Sequence, residues 1–411
     1  MRQLNRVESV GETLRQALNE LAEVVPDWGK AVAAPEWVTR YGRRFEPMRL
    51  PKERTERDRW LATIGQDGLL LLDAVRTKPP TEPVHQLAGV EFLRRLWLQQ
   101  YWLEVDAEGH SPLHLRADDN QPPGEHRLHT PYDDEARYSA KREMEWVGYQ
   151  PHLTETSEPD EIHLITQVTT TLATQTDMDA LDTVHATLAQ HDLLPSEHLL
   201  DAGYVDAEAL VSARQNLGGE LCSPVRLKVS WQATAAEGFD LAHFTIDGEQ
   251  QQVTCPGGQT SSQGCDRPST TRKAAIQVRF SPTVCRSCPS QAKCTQAHTG
   301  ARTITFLPQA EHMALQHARQ AQDTPEFKAK YAQRSGIEGT ISQGVRGFAL
   351  RSARYIGLAK THLQMIATAA AINLHRLCDW WEEKPRARTR TASFAMLAPE
   401  SARRALSWRV G

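Results

Sequence analysis

The sequence predicts an α/β or α+β fold, in which a helical N-terminal segment precedes the core and a cysteine-rich β insertion interrupts it. Apolar residues recur at helical spacing through most of the first 105 residues, and alternating β-branched runs begin near residue 145. Five of the seven cysteines crowd between Cys255 and Cys294. Because 411 residues exceed a typical domain, we expect one large core with an insertion, or about two to three domains.

Residues 1–130 are predicted to form helices followed by a linker. The stretches 4–24 and 86–104 place leucine, valine and aromatic residues three and four positions apart, the spacing of one helix face. The stretch 116–137, RADDNQPPGEHRLHTPYDDEAR, is rich in proline, aspartate and glycine and indicates a long loop.

Residues 131–219 are predicted to form the first part of the core. The alternating runs EWVGYQPHLTET and HLITQVTTTLAT predict an antiparallel hairpin, and MDALDTVHATLAQHDLL predicts a helix. A short strand then ends on Asp201, and Asp206 is expected to cap the following helix, which a glycine pair ends. Strand, strand, helix, strand, helix is the element order of an α/β or α+β core.

The remaining chain divides into three predicted parts. Residues 220–310 hold the cysteines and short β-like runs and are expected to be an insertion. Residues 311–383 are helical and complete the core, and residues 384–411 form a basic, flexible tail. The apolar stretch LQMIATAAAINLHRL is too short to span a bilayer and has charged flanks, so we expect a cytoplasmic protein.

Charge is distributed unevenly. The net charge is −4, but from Thr324 to the end fifteen lysines and arginines stand against six acidic residues. A basic C-terminal region favours contact with a polyanion.

The cysteine spacing suggests a structural zinc site. Thiolates in two close groups suit tetrahedral Zn²⁺, and crowded cysteines in a reducing compartment favour metal over disulfides. Cys265 or His298 could replace one ligand, and unligated thiols are the simpler alternative. The predicted ligands are Cys255, Cys285, Cys288 and Cys294.

Two carboxylates are candidates for catalysis. Tyr331, Arg334 and Glu338 are spaced by three and four, which places them on one helix face. An ordinary surface ion pair explains that spacing, but a lone carboxylate among arginines and glycines also suits metal-assisted phosphodiester chemistry. Asp201, at the carboxyl end of a core strand, is expected to point into the crevice where α/β sheets bind ligands, although a turn-forming aspartate is the simpler alternative.

Three phrases resemble the DDE transposases of bacterial insertion sequences, of the IS4-like superfamily. The strand that carries their second catalytic aspartate is similar to the phrase LLPSEHLLDAGYVDAEAL. Their glutamate helix is similar to YAQRSGIEGTISQGVRGFALRSARYIGLAKTHLQ, and the stretch around their second core strand is similar to DDEARYSAKREMEWVGYQPHLTET. Of the signature Tyr-x2-Arg-x3-Glu-x6-Lys, Tyr331, Arg334 and Glu338 match, and the last element falls one residue late, as Arg346.

The resemblance implies an RNase H-like core sheet and metal-dependent DNA strand cleavage and strand transfer at element ends. Asp201 and Glu338 would be two of three carboxylates that bind a pair of Mg²⁺ or Mn²⁺ ions. The implied partners are double-stranded DNA, with the inverted repeats and the target, and a second copy in a homodimer, with association with the nucleoid when DNA is bound. The implied DNA contacts are Tyr331, Arg334, Arg346, Arg351, Arg354 and Lys360.

One departure from the family limits the expected activity. In these transposases the first aspartate lies on a strand just upstream of a segment like RQLNRVESVGETL, which here begins after Met1. The resemblance therefore implies an N-terminally truncated enzyme that lacks its first catalytic strand, with Asp133 or Asp134 as candidate substitutes. We expect weak or absent cleavage, because two carboxylates hold Mg²⁺ poorly. The alternative is a non-catalytic DNA-binding remnant or regulator.

Overall fold

A computed structural model gives the structure of the chain and describes residues 3–104, 112–158, 161–226, 230–267 and 274–384. All of the predicted basic tail except Lys384 lies outside the described residues. No helix among those ranges is both long enough and apolar enough to cross a membrane.

The N-terminal segment is a helical bundle. Its first helix begins with a capping box, in which the Asn5 side chain accepts from the Glu8 amide and the Glu8 carboxylate accepts from the Asn5 amide. The predicted helical segment is thereby confirmed, except that residues 101–103 leave the helix and form a short hairpin. Its elements are α1 (Arg6–Val24), α2 (Pro26–Val32), α3 (Pro35–Tyr41), α4 (Arg54–Thr77), α5 (Ala88–Gln100), β1 (Tyr101–Leu103) and β2 (Leu113–Leu115).

The middle of the chain contains two separate sheets. Strands β3, β4 and β5 are antiparallel, with Leu153 opposite Val168, so the predicted hairpin is confirmed. Strands β6 and β7 are parallel to each other and pair with no other described strand. The elements are β3 (Arg137–Lys141), β4 (Met144–Glu155), β5 (Ile165–Leu172), α6 (Asp177–Gln190), β6 (Glu197–Leu199), α7 (Ala207–Ser212) and β7 (Glu220–Cys222).

Two local predictions hold in this part. Asp206 caps α7, because its Oδ1 accepts from the Ala209 amide at 2.9 Å. A π-helical turn, Ala213–Leu217, follows, and Gly218 ends it with a φ of +64°, which glycine adopts without strain. The described residues of this part form one three-stranded and one two-stranded sheet, and the RNase H-like core that the resemblance implies stays a prediction.

Residues 231–306, within the predicted insertion, have a small apolar core, built from residues in or next to their strands. Its elements are α8 (Trp231–Ala235), β8 (Thr245–Asp247), β9 (Gln252–Thr254), β10 (Cys265–Asp266), β11 (Ile276–Arg279), α9 (Pro282–Arg286), α10 (Gln291–Cys294) and β12 (Thr303–Phe306). The buried residues of this core are Phe244, Val253, Ile276, Val278, Phe280, Ile304 and Phe306.

Four helices follow the insertion. Helix α11 packs through Leu315 and Ala318 on the cluster that contains α7. The predicted apolar helix is α14, which buries Ile372 against β5 and exposes apolar residues such as Leu374. The helices are α11 (Gln309–Ala321), α12 (Pro325–Tyr331), α13 (Ser335–Gly347) and α14 (Leu358–Trp381).

Candidate active site

Asp201 lies in a tight turn two residues after β6. Its Oδ1 accepts from the Ala202 amide at 2.7 Å, and its main-chain carbonyl accepts from the Tyr204 amide at 3.0 Å. These bonds fix the turn while about half of the carboxylate surface stays exposed, at 49%. Asp201 is therefore held at the carboxyl end of a strand, as the sequence predicted, with Oδ2 directed away from its own turn.

Glu338 occupies the first turn of α13. The predicted single helix is divided here: α12 ends at Tyr331, a 3₁₀ turn covers Ala332–Arg334, and α13 begins at Ser335. The N-terminal end of a helix carries partial positive charge, which favours a carboxylate in the first turn. The Glu338 side chain is 55% exposed.

Arg334 joins the two carboxylates. Its Nη2 lies 3.5 Å from Asp201 Oδ2 and 3.4 Å from Glu338 Oε1. Each distance is within ion-pair range, so two acidic groups that are far apart in the sequence meet at a single guanidinium nitrogen. The separation of their oxygens cannot exceed the sum of those two distances.

Tyr331 belongs to the same cluster. The Arg334 guanidinium carbon lies 6.0 Å from the centre of its ring, a cation–π contact. Burial raises the pKa of the Tyr331 hydroxyl, and the positive charge of Arg334 opposes that rise. Tyr331 thus stays protonated at neutral pH and supplies a hydrogen-bond donor beside the two carboxylates.

The other predicted DNA contacts lie outside this cluster. Arg346 is in the last turn of α13, Arg351 and Arg354 follow in the loop, and Lys360 lies in the first turn of α14. All four are exposed. Among the described residues none of the four has a carboxylate partner, so their charges are available to an external anion.

Two contacts hold the Asp201 turn and the glutamate helix in place. Nδ1 of the buried His152, on β4, lies 2.6 Å from the Tyr204 hydroxyl, and burial lowers the pKa of His152. Lys330, at the end of α12, forms an ion pair with Glu197 of β6. Neither contact could be predicted from the sequence, because each joins residues that are distant along the chain.

A buried ion pair positions α13 against the core. Arg376 of α14 lies 3.1 Å from Glu155 Oε2, and its Nε donates to Gln343 Oε1 at 3.0 Å. Thr340, two residues after Glu338, donates its hydroxyl to the same Glu155 carboxylate. The Glu155 side chain is only 5% exposed. Sequence reasoning missed this clamp.

Asp133 and Asp134, the candidate substitutes for a third carboxylate, have other roles. Asp133 is buried, and its carboxylate accepts from the Tyr149 hydroxyl, which lies 2.8 and 2.9 Å from its two oxygens, and from the Gly357 amide. Asp134 lies 3.6 Å from Arg95. Neither contacts Asp201 or Glu338 within the described chain, so the substitution receives no support.

Asp201 and Glu338 partly fit the divalent ion implied by the resemblance. Both offer exposed carboxylate oxygens, the donors that Mg²⁺ and Mn²⁺ prefer. No group of three or more metal-binding side chains occurs among the described residues. The two carboxylates therefore supply only part of an octahedral ligand set.

The predicted zinc site also lacks an assembled ligand set. Cys255, Cys285 and Cys294 pack against the small apolar core of this part of the chain, and burial, together with the nearby thiols of Cys285, Cys255 and Cys288, raises the pKa of Cys294. Within the described ranges no metal-binding group includes these thiols, so the zinc prediction is unsupported. Of the two cysteines outside this cluster, Cys222 is buried and Cys378 is exposed.

A comparison with known families finds a match over part of the chain. Residues 254–378 match the family model described as Transposase DDE domain. The match begins after Asp201 and contains Glu338 and its neighbouring cations. It supports a DDE transposase. Transposases of this class are polynucleotidyl transferases that act on DNA and typically use a divalent metal ion. No curated protein and no solved structure matches the chain.

Proposed function

We propose that this chain is a bacterial insertion-sequence transposase whose reaction centre is built on Asp201 and Glu338. The meeting of both carboxylates at Arg334 is the observation that carries the proposal. An RNase H-like core is part of it, supported by an antiparallel hairpin followed by a helix and a parallel strand pair. Recognition of inverted repeats and of target DNA by a homodimer is also part of it and rests on the resemblance.

The residues of the site have separate tasks. Asp201 and Glu338 would hold the divalent ions, which when bound supply an activated attacking oxygen and stabilise the leaving oxygen. Arg334 balances the two negative charges before DNA arrives, and its guanidinium can turn to a phosphate, which it binds bidentately. The exposed cations that follow, Arg346, Arg351, Arg354 and Lys360, would hold the strand through its phosphates.

We expect slow cleavage from the described residues alone, because two carboxylates leave most of the coordination sphere of Mg²⁺ to water and phosphate. The second candidate function is therefore DNA binding without catalysis. The observation that favours it is the set of four unpaired, exposed cations in the described chain, which need no metal to bind DNA.

Binding of Mn²⁺, followed by electron paramagnetic resonance, tests the site without requiring turnover. We expect Mn²⁺ binding by the full chain to weaken at least roughly tenfold in Asp201→Asn and in Glu338→Gln, because each removes an anionic ligand. Glu326→Gln is the matched control, since Glu326 is exposed in the first turn of the neighbouring α12. Equal Mn²⁺ affinity in all three variants would remove the metal role of Asp201 and Glu338.

A nicking assay on duplexes carrying the element ends, with Mg²⁺ or Mn²⁺, then separates the two functions. Weak cleavage that disappears in Asp201→Asn supports the transposase. Metal-independent DNA binding with no cleavage supports the second function, and robust cleavage that survives Asp201→Asn contradicts the assigned reaction centre.

A further inference from the structure

Helix α14 is apolar on two opposite sides. On one side, Ala369 and Ile372 are buried and pack with Ile165 of β5. The other side, which we call the outer face, has eight positions at helical spacing between residues 363 and 381, all of them exposed and uncharged. A helix that is apolar all round is normally buried, so we expect another segment to cover this face. Two of the eight are alanines, and the larger ones are Leu363, Ile366, Leu374, Leu377, Cys378 and Trp381.

A cavity of about 560 Å³ opens at the N-terminal end of the outer face. Leu363 lines it, together with Phe348 and Tyr355 from the segment that connects α13 to α14. A recess between aromatic and aliphatic side chains of this size accepts a large apolar side chain. Arg354 and Lys360 also line the cavity, and they would repel an occupant that carried a further cation. The cavity therefore fits an uncharged apolar run.

The basic tail of the same chain contains such a run. Residues 394–399, FAMLAP, are uncharged, although residues 385–411 include six arginines. Thirteen residues lead from Trp381 to Phe394, and an extended chain of that length reaches about 43 Å. The outer face from Trp381 back to Leu363 is about 27 Å long. The run can therefore reach the cavity without strain.

The end of α14 directs the chain away from the helix axis. The Lys384 amide donates to the Asp379 carbonyl at 2.9 Å, and the Glu383 amide donates to the Trp380 carbonyl at 3.0 Å. Glu383 has a φ of +53°, so the helix ends in a Schellman motif and cannot continue in the same direction.

The charges at this end favour a tail that lies along the helix. Asp379, Glu382 and Glu383 stand against Lys384, which pairs with the first two. Arg386 follows two residues later, and two more arginines come after it at alternate positions. A tethered segment is also present at an effective concentration in the millimolar range, which favours it over a second copy of the chain.

We propose that the basic tail turns back along α14 and covers its outer face, with the Phe394 side chain in the cavity beside Tyr355 and Leu363. Met396 and Leu397 then cover neighbouring apolar positions of the face. Removal of both apolar surfaces from water stabilises the contact, and the arginines stay at its solvated rim. The inference does not depend on the proposed function, because the contact requires neither DNA nor a metal ion.

Reagent access to the outer face tests this contact in the full chain. Ala370→Cys introduces a thiol at an exposed position in the middle of the face. We expect a maleimide, followed by mass spectrometry, to label this thiol at least roughly tenfold more slowly than the exposed Cys265, because the tail must first detach. Adding Phe394→Asp should raise the rate to about that of Cys265. The matched control is Leu406→Asp, the same kind of change outside the run, which should leave labelling slow.

A substitution on the face tests the contact from the other side. Leu363 is 66% exposed, so the fold tolerates Leu363→Asp, and we expect trypsin to cut after Arg390 at least roughly tenfold faster than in the unchanged chain. Met313→Asp, at an exposed position of α11, should keep the unchanged rate.

Four results would overturn the proposal. They are rapid labelling of the introduced thiol when the tail is intact, slow labelling that persists in Phe394→Asp, and equal acceleration by Leu406→Asp. The fourth is protection of the thiol that rises with protein concentration, which indicates a second copy as the occupant.

Discussion

At the scale of single residues, Arg334 explains how a carboxylate can lie within a basic segment. Glu338 and Asp201 both form an ion pair with the same guanidinium nitrogen of Arg334. The positive charge of Arg334 therefore partly balances the negative charge of Glu338 within the site. Both side chains remain about half exposed, and the ion pairs contribute little to stability at such exposure. Their arrangement therefore matters for what they can bind more than for folding.

A contact between two histidines leads us to predict that stability depends on pH. His185 Nε2 lies 3.1 Å from His198 Nδ1, and burial lowers both pKa values, that of His198 to about 4. The ordinary pKa of histidine is about 6.5. Between this pH and the lowered pKa of His198, the unfolded chain therefore binds more protons than the folded chain. The free energy of unfolding should then fall as the pH drops from about 6.5 towards 4, by up to about 1.4 kcal/mol per pH unit for His198.

Urea unfolding at pH 7.5 and pH 5 measures this effect. His198→Gln cannot take up the proton, so we expect a smaller loss of stability on acidification than in the unchanged chain. His85→Gln, which alters an exposed histidine, should retain the full loss. Identical pH profiles for the unchanged chain and His198→Gln would refute the prediction.

At the scale of elements, the glutamate helix depends on contacts made by other elements. Glu155 on β4, Thr340 on α13 and Arg376 on α14 meet in one buried cluster. On the other side, Lys330 fixes α12 to β6 through Glu197. The position of Glu338 is thus set by the packing of α12, α13 and α14, which the spacing of its own segment does not specify.

Removing the buried arginine should release this packing. Arg376→Met leaves the Glu155 carboxylate buried without its cation, and we expect a loss of about 3 to 5 kcal/mol of stability. Arg76→Met is the control, because Arg76 forms an exposed helical pair with Asp73 at 2.8 Å and should cost less than about 1 kcal/mol. Denaturant unfolding measures both changes. Adding Glu155→Gln to Arg376→Met should recover part of the loss, and equal losses in the two single variants would show that the clamp is unimportant.

At the scale of the whole molecule, the chain separates two kinds of surface. A helical bundle with its own core precedes the two sheets, and the exposed cations lie on α13, on α14 and in the loop between these helices. The matched family segment, residues 254–378, contains these cations and the part of the small apolar core that follows Val253. We therefore expect DNA binding to depend on this C-terminal surface and not on the N-terminal bundle.

The salt dependence of DNA affinity tests that expectation. Replacing Arg346, Arg351, Arg354 and Lys360 by glutamine should reduce the slope of log affinity against log salt by roughly 3 to 4, if each cation contacts one phosphate. The control replaces four exposed cations of the N-terminal segment, Arg43, Arg44, Lys52 and Lys78, and should leave the slope unchanged. A filter-binding titration across salt concentrations gives both slopes. Equal slopes in the two quadruple variants would contradict the expectation.

Local helices, strands and caps, and the candidate chemistry of individual residues, could be predicted from the sequence. The hairpin of β4 and β5, the Asp206 cap and the glycine end of the following turn were all predicted, because each depends on residues only a few positions apart. Asp201 and Glu338 were also identified as candidates, on motif spacing and the resemblance. The zinc prediction used the same kind of spacing and gained no support, because no group of three or more metal-binding side chains occurs among the described residues.

The contacts between these elements could be seen only in the tertiary structure. The shared contact at Arg334, the buried Glu155–Arg376 pair and the His152–Tyr204 bond each join segments that are remote in the chain. Side-chain periodicity and helix capping depend on neighbouring residues and can be predicted along the chain. The pairing of helix and sheet faces depends on how the whole chain buries its apolar surface, and local residues do not specify it. That packing brings the two carboxylates together at Arg334.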